Sequence, residues 1–239
     1  MAIPLTPKER LIVALDLPTV AEAEAMVTQL RDEVGVFKIG LQLAFAGGAD
    51  LARRLAVEGY AVFFDVKLLD IGQTVEHAVR SIIGLGVTFV TIHGYPQAMR
   101  AAVAARGDAP LRLLGVSVLT SMDESDFAQA GYFGRIREQV IARAGDAKAA
   151  GMDGIVAAPS EAAAVREVVG PDMLIITPGV RPAGTDAGDQ KRVATPAEAI
   201  AAGADYLVVG RPILTAPDPA TAARAIVAEI AAALRRPSP

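Results

Sequence analysis

Cysteine is absent from this chain of 239 residues. Its absence excludes disulfide bonds, metal sites built from thiolates and a cysteine nucleophile. A basic stripe or a tail rich in lysine and arginine is also missing, since 23 basic residues are outnumbered by 27 acidic ones, for a net charge of −4. We therefore expect neither nucleic acid nor a membrane surface as a partner.

Long apolar segments are scarce as well. The N-terminus has no apolar stretch behind a basic start, so we expect no secretory signal peptide. The longest stretch without Asp, Glu, Lys or Arg covers residues 81–99, but it contains Gly84, Gly86, Gly94 and Pro96. A buried strand with flanking turns explains this composition better than a membrane span does. We expect a soluble protein of the cytoplasm.

What the sequence does contain is a series of short apolar runs that alternate with helical segments. Hydrophobic residues make up 52 % of the chain, enough for a sizeable core. Each run is followed by a helix or by a loop that carries one. We predict eight strands, with the sequences "RLIVALD", "GVFKIG", "AVFFDVK", "VTFVTIHG", "LRLLGVSVLT", "GIVAAP", "MLIITPG" and "YLVVG".

The apolar runs are continuous rather than alternating, which is typical of parallel strands buried on both faces. Parallel strands need crossover connections, and the helices supply them. No linker or shift in composition divides the chain, so we predict a single domain over residues 1–239 with the α/β fold of one (β/α)8 TIM barrel. A doubly wound open sheet is the alternative, although no G-x-G-x-x-G motif follows the first strand to support it.

Three helix starts are predicted from capping residues. Thr19 with Glu22, and Thr195 with Glu198, have the spacing of a capping box. Ser160 is predicted to cap the helix that ends before Gly170.

Polar side chains cluster at the predicted C-terminal ends of the strands, where (β/α)8 barrels hold their active sites. Asp65 and Lys67 lie two residues apart on one strand, so their side chains share a face. Buried charges must pair, and we expect Lys38 from the adjacent strand and Asp70 from the following turn to join them. The opposite strand ends carry no comparable set. A purely structural salt-bridge network is the alternative interpretation.

The loops after strands seven and eight are predicted to bind phosphate, as they commonly do in these barrels. "TPGVRP" and "VVGRPI" bring backbone N–H groups beside Arg181 and Arg211, whose guanidinium groups match phosphate oxygens. Ordinary surface arginines are the alternative. For His93, at the end of strand four, we favour a packing or supporting role over a catalytic one.

At this point the sequence resembles a known family. "DVKLLDI" matches the D-x-K-x-x-D-I motif of the orotidine 5′-monophosphate decarboxylases. The motifs "VALD", "FKIG", "TIHG", "LTS", "TPGVRP", "GDQKR" and "VVGRPI" follow in the family's order, so the resemblance to bacterial members covers nearly the whole chain.

The resemblance implies decarboxylation of orotidine 5′-monophosphate to UMP without cofactor or metal, as the last step of pyrimidine synthesis. By the same resemblance, Lys67 donates the proton to C6 of the pyrimidine and Asp65 faces the substrate carboxylate. Asp16 and Lys38 contact the ribose, and Lys38 also supports Asp65.

The remaining binding roles are also implied by the resemblance. Thr120, or Ser121 beside it, contacts the pyrimidine edge, and Gln190 bridges phosphate and base. Arg211 binds phosphate beside the Gly210 amide.

The resemblance further implies a homodimer in which Asp70 and Thr74 enter the neighbouring subunit's site. One detail departs from the family: Gly72 and Gln73 replace the Pro-Asn pair of many relatives, which puts the geometry of this turn in doubt.

Two alternative functions remain open from the sequence. Sugar-phosphate enzymes such as 3-keto-L-gulonate 6-phosphate decarboxylase and hexulose-phosphate synthase resemble the chain in the D-x-K-x-x-D strand. They use Mg²⁺ with an acidic residue at the end of strand two, where this chain has Lys38. A catalytically silent nucleotide-binding barrel, acting as a sensor or scaffold, is the second alternative.

Overall fold

The strands form a closed barrel. The computed structural model describes residues 5–182 and 193–235. Eight parallel strands are hydrogen-bonded in sequence order, and the last pairs with the first. The prediction of a (β/α)8 barrel is confirmed, and the open doubly wound sheet is excluded by the closure between β8 and β1. The strands are β1 (Leu11–Ala14), β2 (Val36–Gly40), β3 (Ala61–Leu68), β4 (Phe89–His93), β5 (Arg112–Val116), β6 (Gly154–Val156), β7 (Leu174–Thr177) and β8 (Tyr206–Val209).

Helices surround the barrel. They are α1 (Val20–Leu30), α2 (Leu41–Leu43), a kinked turn (Ala44–Gly48), α3 (Ala49–Val57), α4 (Gly72–Ile83), α5 (Pro96–Arg106), α6 (Glu124–Gln129), α7 (Ile136–Ala150), a 3₁₀ turn (Pro159–Glu161), α8 (Ala162–Val169), α9 (Pro196–Ala201), α10 (Arg211–Leu214) and α11 (Pro219–Leu234). In the part of the chain that the structure describes, no helix is long and apolar enough to cross a membrane.

The inside of the barrel is filled by side chains from alternate strand positions. Phe63 points inward, while Val62 and Phe64 belong to the larger core between strands and helices. Full burial of such a side chain contributes roughly 1.5–3 kcal/mol. The buried inner cluster consists of Ile12, Ala14, Val36, Phe63, Phe89, Leu114, Ile176, Tyr206 and Val208. This apolar floor lies below the C-terminal ends of the strands, so the polar residues that follow it are collected at one mouth.

Strand β3 is irregular where it carries the charged motif. Its pairing with β4 advances from Phe64 to Leu68 on β3 but only from Val90 to Ile92 on β4. Lys67 lies inside this bulge with φ of 49°, and it is the one non-glycine residue with positive φ among residues 5–182 and 193–235. Such strain at a non-glycine residue costs on the order of 1–3 kcal/mol and concentrates at functional sites.

Two of the three predicted helix caps are confirmed. The side chains of Thr19 and Thr195 accept hydrogen bonds from the N–H groups of Glu22 and Glu198. The Ser160 prediction is wrong, because Pro159 begins a 3₁₀ turn there and the Ser160 hydroxyl donates to the side chain of Glu161 instead.

Candidate active site

A chain of ion pairs lies at the C-terminal mouth of the barrel. Lys67 Nζ is 2.9 Å from Asp65 Oδ1, and Lys38 Nζ is 3.4 Å from Asp65 Oδ2. Lys38 also contacts Asp16 Oδ1 at 3.2 Å. Strands β1, β2 and β3 are consecutive in the sheet, so the three strand ends bring these four side chains side by side. The predicted Lys–Asp–Lys array is therefore present.

The array changes the protonation behaviour of its two most buried members. Burial alone would raise the pKa of Asp65, but the Lys38 and Lys67 ammonium groups outweigh it and hold that pKa below its usual value. Burial would likewise lower the pKa of Lys38, but the Asp65 and Asp16 carboxylates raise it above its usual value. Both groups are therefore charged at neutral pH.

Thr91 organises the array and was missed by the sequence reasoning. Its hydroxyl Oγ1 donates to Asp65 Oδ1 at 2.9 Å, and Thr91 Oγ1 also accepts from the Lys67 backbone N–H at 2.9 Å. Thr91 thereby links the bulge that carries Lys67 to the carboxylate that pairs with the Lys67 side chain. The sequence feature that could have identified Thr91 is its position as a polar residue inside an apolar run, two positions before His93.

Sequence reasoning also missed Gly40, the last residue of β2. A Cβ atom at this position would lie 2.9 Å from Asp16 Oδ1 and 3.0 Å from Lys38 Nζ. The missing side chain therefore leaves the space that the ion pair occupies. In the sequence, nothing distinguishes the glycine of "FKIG" from an ordinary turn glycine.

The array borders a cavity of about 590 Å³. This volume suits a small organic ligand. Nine of the predicted site residues line it, namely Asp16, Lys38, Asp65, Lys67, Thr120, Ser121, Arg181, Gly210 and Arg211. Among residues 5–182 and 193–235, its charged lining comprises four basic and two acidic side chains, an excess of positive charge in a chain whose net charge is −4.

The two arginines approach the cavity from the loops that follow β7 and β8. Arg181 is 9 % exposed and donates to the Val180 carbonyl at 2.9 Å. A bridge between Val180 and Ala194 ties this loop back to the chain before α9. Arg211 opens α10, directly after Gly210, and its side chain is exposed at the rim. The part of the cavity formed by the loops after β7 and β8 is thus also basic.

Two predicted site residues, Asp70 and Thr74, are not brought into this cavity. Asp70 and Thr74 are exposed near the start of α4, and Asp70 Oδ1 accepts from the Ile71 N–H at 2.7 Å. The expectation that Asp70 extends the array within one chain is not met, because the turn after β3 leads it outward. Gln190 lies outside the described residues.

His93 belongs to a second, smaller cavity rather than to the main one. This cavity measures about 190 Å³ and is also lined by Tyr95, Tyr132 and Arg143. Burial, together with the positive charges of Arg143 and Lys67, lowers the pKa of His93. The imidazole is therefore neutral at pH 7, in keeping with the predicted supporting role. Within the described ranges, no group of three or more His, Cys, Asp or Glu residues is placed to hold a metal ion.

Comparison with known proteins identifies the family. A model described as "Orotidine 5'-phosphate decarboxylase / HUMPS family" matches residues 9–226. The chain belongs to this family. It is 60 % identical over 226 residues to an orotidine 5'-phosphate decarboxylase of Rhodopseudomonas palustris, with 95 % of each chain covered. It is 56 % identical over 236 residues to one of a Methylobacterium species, covering 98 % of this chain and 100 % of the relative.

Two solved structures share the fold of this chain. The structure of orotidine 5'-phosphate decarboxylase from Lactobacillus acidophilus is 33 % identical, with a TM-score of 0.81 over 92 % of this chain and 98 % of the other. An uncharacterized conserved protein from Geobacillus kaustophilus is 30 % identical, with a TM-score of 0.78 over 92 % of this chain and 99 % of the other. The resemblance stated from the sequence motifs is confirmed.

Proposed function

We propose that the charged mouth of this barrel decarboxylates orotidine 5′-monophosphate to UMP, with Lys67 as the proton donor. The reaction itself, a step of pyrimidine biosynthesis, follows from the family and from relatives named orotidine 5'-phosphate decarboxylase. The observation that carries the proposed mechanism is Asp65, ion-paired with both Lys38 and Lys67 at the edge of a cavity with a basic lining.

Decarboxylation at C6 requires a cation held in place before the reaction begins. When the bond between C6 and the carboxylate breaks, CO₂ leaves and an electron pair remains on C6 in the plane of the ring. The Lys67 ammonium stabilises this charge and then transfers a proton to C6, after which solvent restores the lysine proton. The contacts of Lys67 with Asp65 and, through its backbone, with Thr91 support this role because they fix its position.

Asp65 has two parts in this mechanism. It holds Lys67 in place, and it faces the substrate carboxylate, so that loss of CO₂ relieves the repulsion between two anions. Because the pKa of Asp65 is held below its usual value by the Lys38 and Lys67 ammonium groups, it stays anionic when a second carboxylate approaches.

The rest of the cavity binds the parts of the substrate that do not react. Asp16 and Lys38 contact the ribose, and Thr120 or Ser121 contacts the pyrimidine edge. The phosphate lies between Arg181, Arg211 and the Gly210 amide, with Gln190 bridging it to the base. Contacts to a distant phosphate accelerate the reaction when they are used to fix the reacting group. The basic rim formed by the two arginines supports this orientation.

The active unit is proposed to be a homodimer. Asp70 and Thr74 are exposed and directed away from their own cavity, and Ile71 between them is 71 % exposed despite its apolar side chain. In the dimer these residues complete the partner's site. The enzyme acts in the cytoplasm as a single domain, without nucleic acid or membrane partners.

The rival function is that of a sugar-phosphate enzyme, since the family name covers a second group. The acidic residue that such enzymes place at the end of strand two is replaced by Lys38, which is paired with two carboxylates. The names of the relatives with 56–60 % identity also favour the nucleotide decarboxylase.

An ultraviolet assay with orotidine 5′-monophosphate tests the proposal, with and without EDTA. We expect loss of the substrate's absorbance and formation of UMP at the same rate in both conditions. Loss of activity in EDTA with recovery in Mg²⁺ would contradict the metal-free mechanism. Tight binding of UMP by folded protein without any turnover would favour the silent barrel.

A further inference from the structure

The loop between β5 and α7 forms one wall of the main cavity. This β5–α7 loop (residues 117–135) carries Thr120 and Ser121, which line the main cavity. Val118 and Leu119 line both the main cavity and the smaller cavity of about 190 Å³. The loop therefore separates the two cavities, and the side chains that line the smaller cavity support the loop on its far side.

Arg143 of α7 fills that supporting position. The residue is 6 % exposed. Its Nη1 donates to the carbonyl oxygen of Ser117, the first residue of the loop, and its Nη2 donates to the hydroxyl of Tyr132 at 3.1 Å, near the loop's end. A single planar side chain thus connects the two ends of the segment that carries Thr120.

Aromatic rings hold the guanidinium in place. Its central carbon lies 5.2 Å from the centre of the Tyr95 ring and 5.3 Å from that of Tyr132. The two tyrosine hydroxyl oxygens are 2.6 Å apart, and Tyr132 stacks on Phe127 with ring centres 4.7 Å apart. Tyr95 follows β4, so the loop is fastened to the adjacent strand as well as to α7.

Two features indicate that this arrangement does more than fill space. Within residues 5–182 and 193–235, Arg143 has no carboxylate partner, although a buried cation without one is unfavourable compared with an apolar side chain. The neighbouring Gly94 leaves room for it, since a Cβ there would lie 3.0 Å from Arg143 Cδ and 2.6 Å from the Val116 carbonyl oxygen.

We infer that Arg143 is a positioning residue for recognition of the pyrimidine. By joining Ser117 to Tyr132, it holds the β5–α7 loop so that Thr120 and Ser121 face the base. The inference rests on the proposed function, because it requires the loop to contact a pyrimidine. Lysine cannot replace Arg143 in this role, since an ammonium group lacks the planar guanidinium fork that donates hydrogen bonds in two directions.

The test compares two ligands that differ by the base. Dissociation constants of UMP and of ribose 5-phosphate are measured by calorimetry for the wild type, Arg143→Met, Arg143→Lys and Arg137→Met, the last an exposed residue of the same helix. For both Arg143 variants we expect UMP to bind about tenfold more weakly, with ribose 5-phosphate changed less than twofold. Arg137→Met should bind both ligands like the wild type. Equal weakening of both ligands, or unchanged UMP binding, would overturn the inference.

A double-mutant cycle with Thr120→Ala shows whether Arg143 acts through the loop. If it does, Arg143→Met adds little to the loss of UMP affinity that Thr120→Ala already causes. Fully additive losses would overturn the inference. If Arg143→Met does not fold, Tyr132→Phe tests the same link, because it removes the hydroxyl that Arg143 contacts and keeps the ring stack. We expect the affinity for UMP to fall two- to threefold and the affinity for ribose 5-phosphate to stay unchanged.

Failure of the inference and failure of the proposed function are separable. The positioning role alone is refuted if the wild type turns over orotidine 5′-monophosphate while the Arg143 and Tyr132 variants keep the wild-type preference for UMP over ribose 5-phosphate. Wild-type protein that binds UMP no better than ribose 5-phosphate and shows no turnover refutes both.

Discussion

The two ends of the barrel use their charged side chains in different ways. At the N-terminal end, Asp205 pairs with Arg166 at 2.6 Å and accepts the Ile175 N–H at 2.8 Å. Asp153 repeats the pattern with Arg106 and the Leu113 N–H. At the C-terminal end, Asp65 instead pairs with two lysines at the edge of an open cavity. The ion pairs at the N-terminal end, called the lower pairs below, are closed units between neighbouring strands. The array at the C-terminal end, called the upper array, remains open to a ligand.

This difference separates stability from chemistry. A carboxylate that is satisfied by one arginine and one strand N–H stabilises the position of adjacent strands and leaves no group facing a cavity. An array that shares one carboxylate between two cations can exchange a partner for a substrate. We therefore expect changes at the upper end to affect turnover and changes at the lower end to affect unfolding.

The largest expected effect comes from Asp65→Asn. It removes the anion that fixes Lys67, and we expect kcat/KM to fall by about 10³-fold. UMP affinity should change far less, because UMP lacks the carboxylate that faces Asp65. Steady-state kinetics and calorimetry on the same preparation measure both. A parallel loss of UMP affinity would assign Asp65 to general binding instead.

A smaller effect is expected for Arg211→Ala at the phosphate rim. Charge-assisted hydrogen bonds contribute roughly 1.5–3 kcal/mol, so the affinity for UMP should fall by about 10- to 100-fold. Uridine, which has no phosphate, serves as the control ligand and should bind as to the wild type. Equal weakening of both ligands would contradict a phosphate role.

At the opposite end, Asp205→Asn should lower the free energy of unfolding by about 2 kcal/mol, since Arg166 loses its carboxylate partner and the Ile175 N–H loses its charged acceptor. Urea denaturation measures this change. Turnover per folded molecule should stay within twofold of the wild type. A large loss of turnover at unchanged stability would break the division between the two ends.

The smallest effect concerns pH. Because the Lys38 and Lys67 ammonium groups lower the pKa of Asp65, its contribution to stability is present above about pH 4, the usual range of the aspartate pKa, and is lost as pH falls through the lowered value. The contribution of Lys38, whose pKa is raised by Asp65 and Asp16, is lost only as pH rises above the usual lysine range. Urea denaturation of the wild type and Asp65→Asn should give a difference in unfolding free energy that is constant from pH 5 to 9 and shrinks below pH 4. A difference that varied through neutral pH would contradict this assignment.

The sequence was informative for the site residues that lie at the C-terminal ends of strands. Continuous apolar runs predicted eight parallel strands, and the residues after them predicted the charged mouth. The ion pairs at the N-terminal end of the barrel were missed. Arg166 and Asp205 are 39 residues apart along the chain, so only the closed barrel brings them together.

The local geometry of the site was also beyond the sequence. Regular strand alternation predicted that Asp65 and Lys67 share a face, and they do meet. They meet through a bulge with positive φ at Lys67, however, rather than through regular pleating. The bulge depends on Thr91 of the next strand, a contact between residues that no local pattern connects.

The most direct test of the account is turnover of orotidine 5′-monophosphate by Lys67→Ala, measured per folded molecule beside the wild type. We predict a loss of more than about 10⁴-fold in kcat/KM, while the protein stays folded, because Asp65 keeps its ion pair with Lys38. Turnover within tenfold of the wild type would contradict the central claim that Lys67 donates the proton.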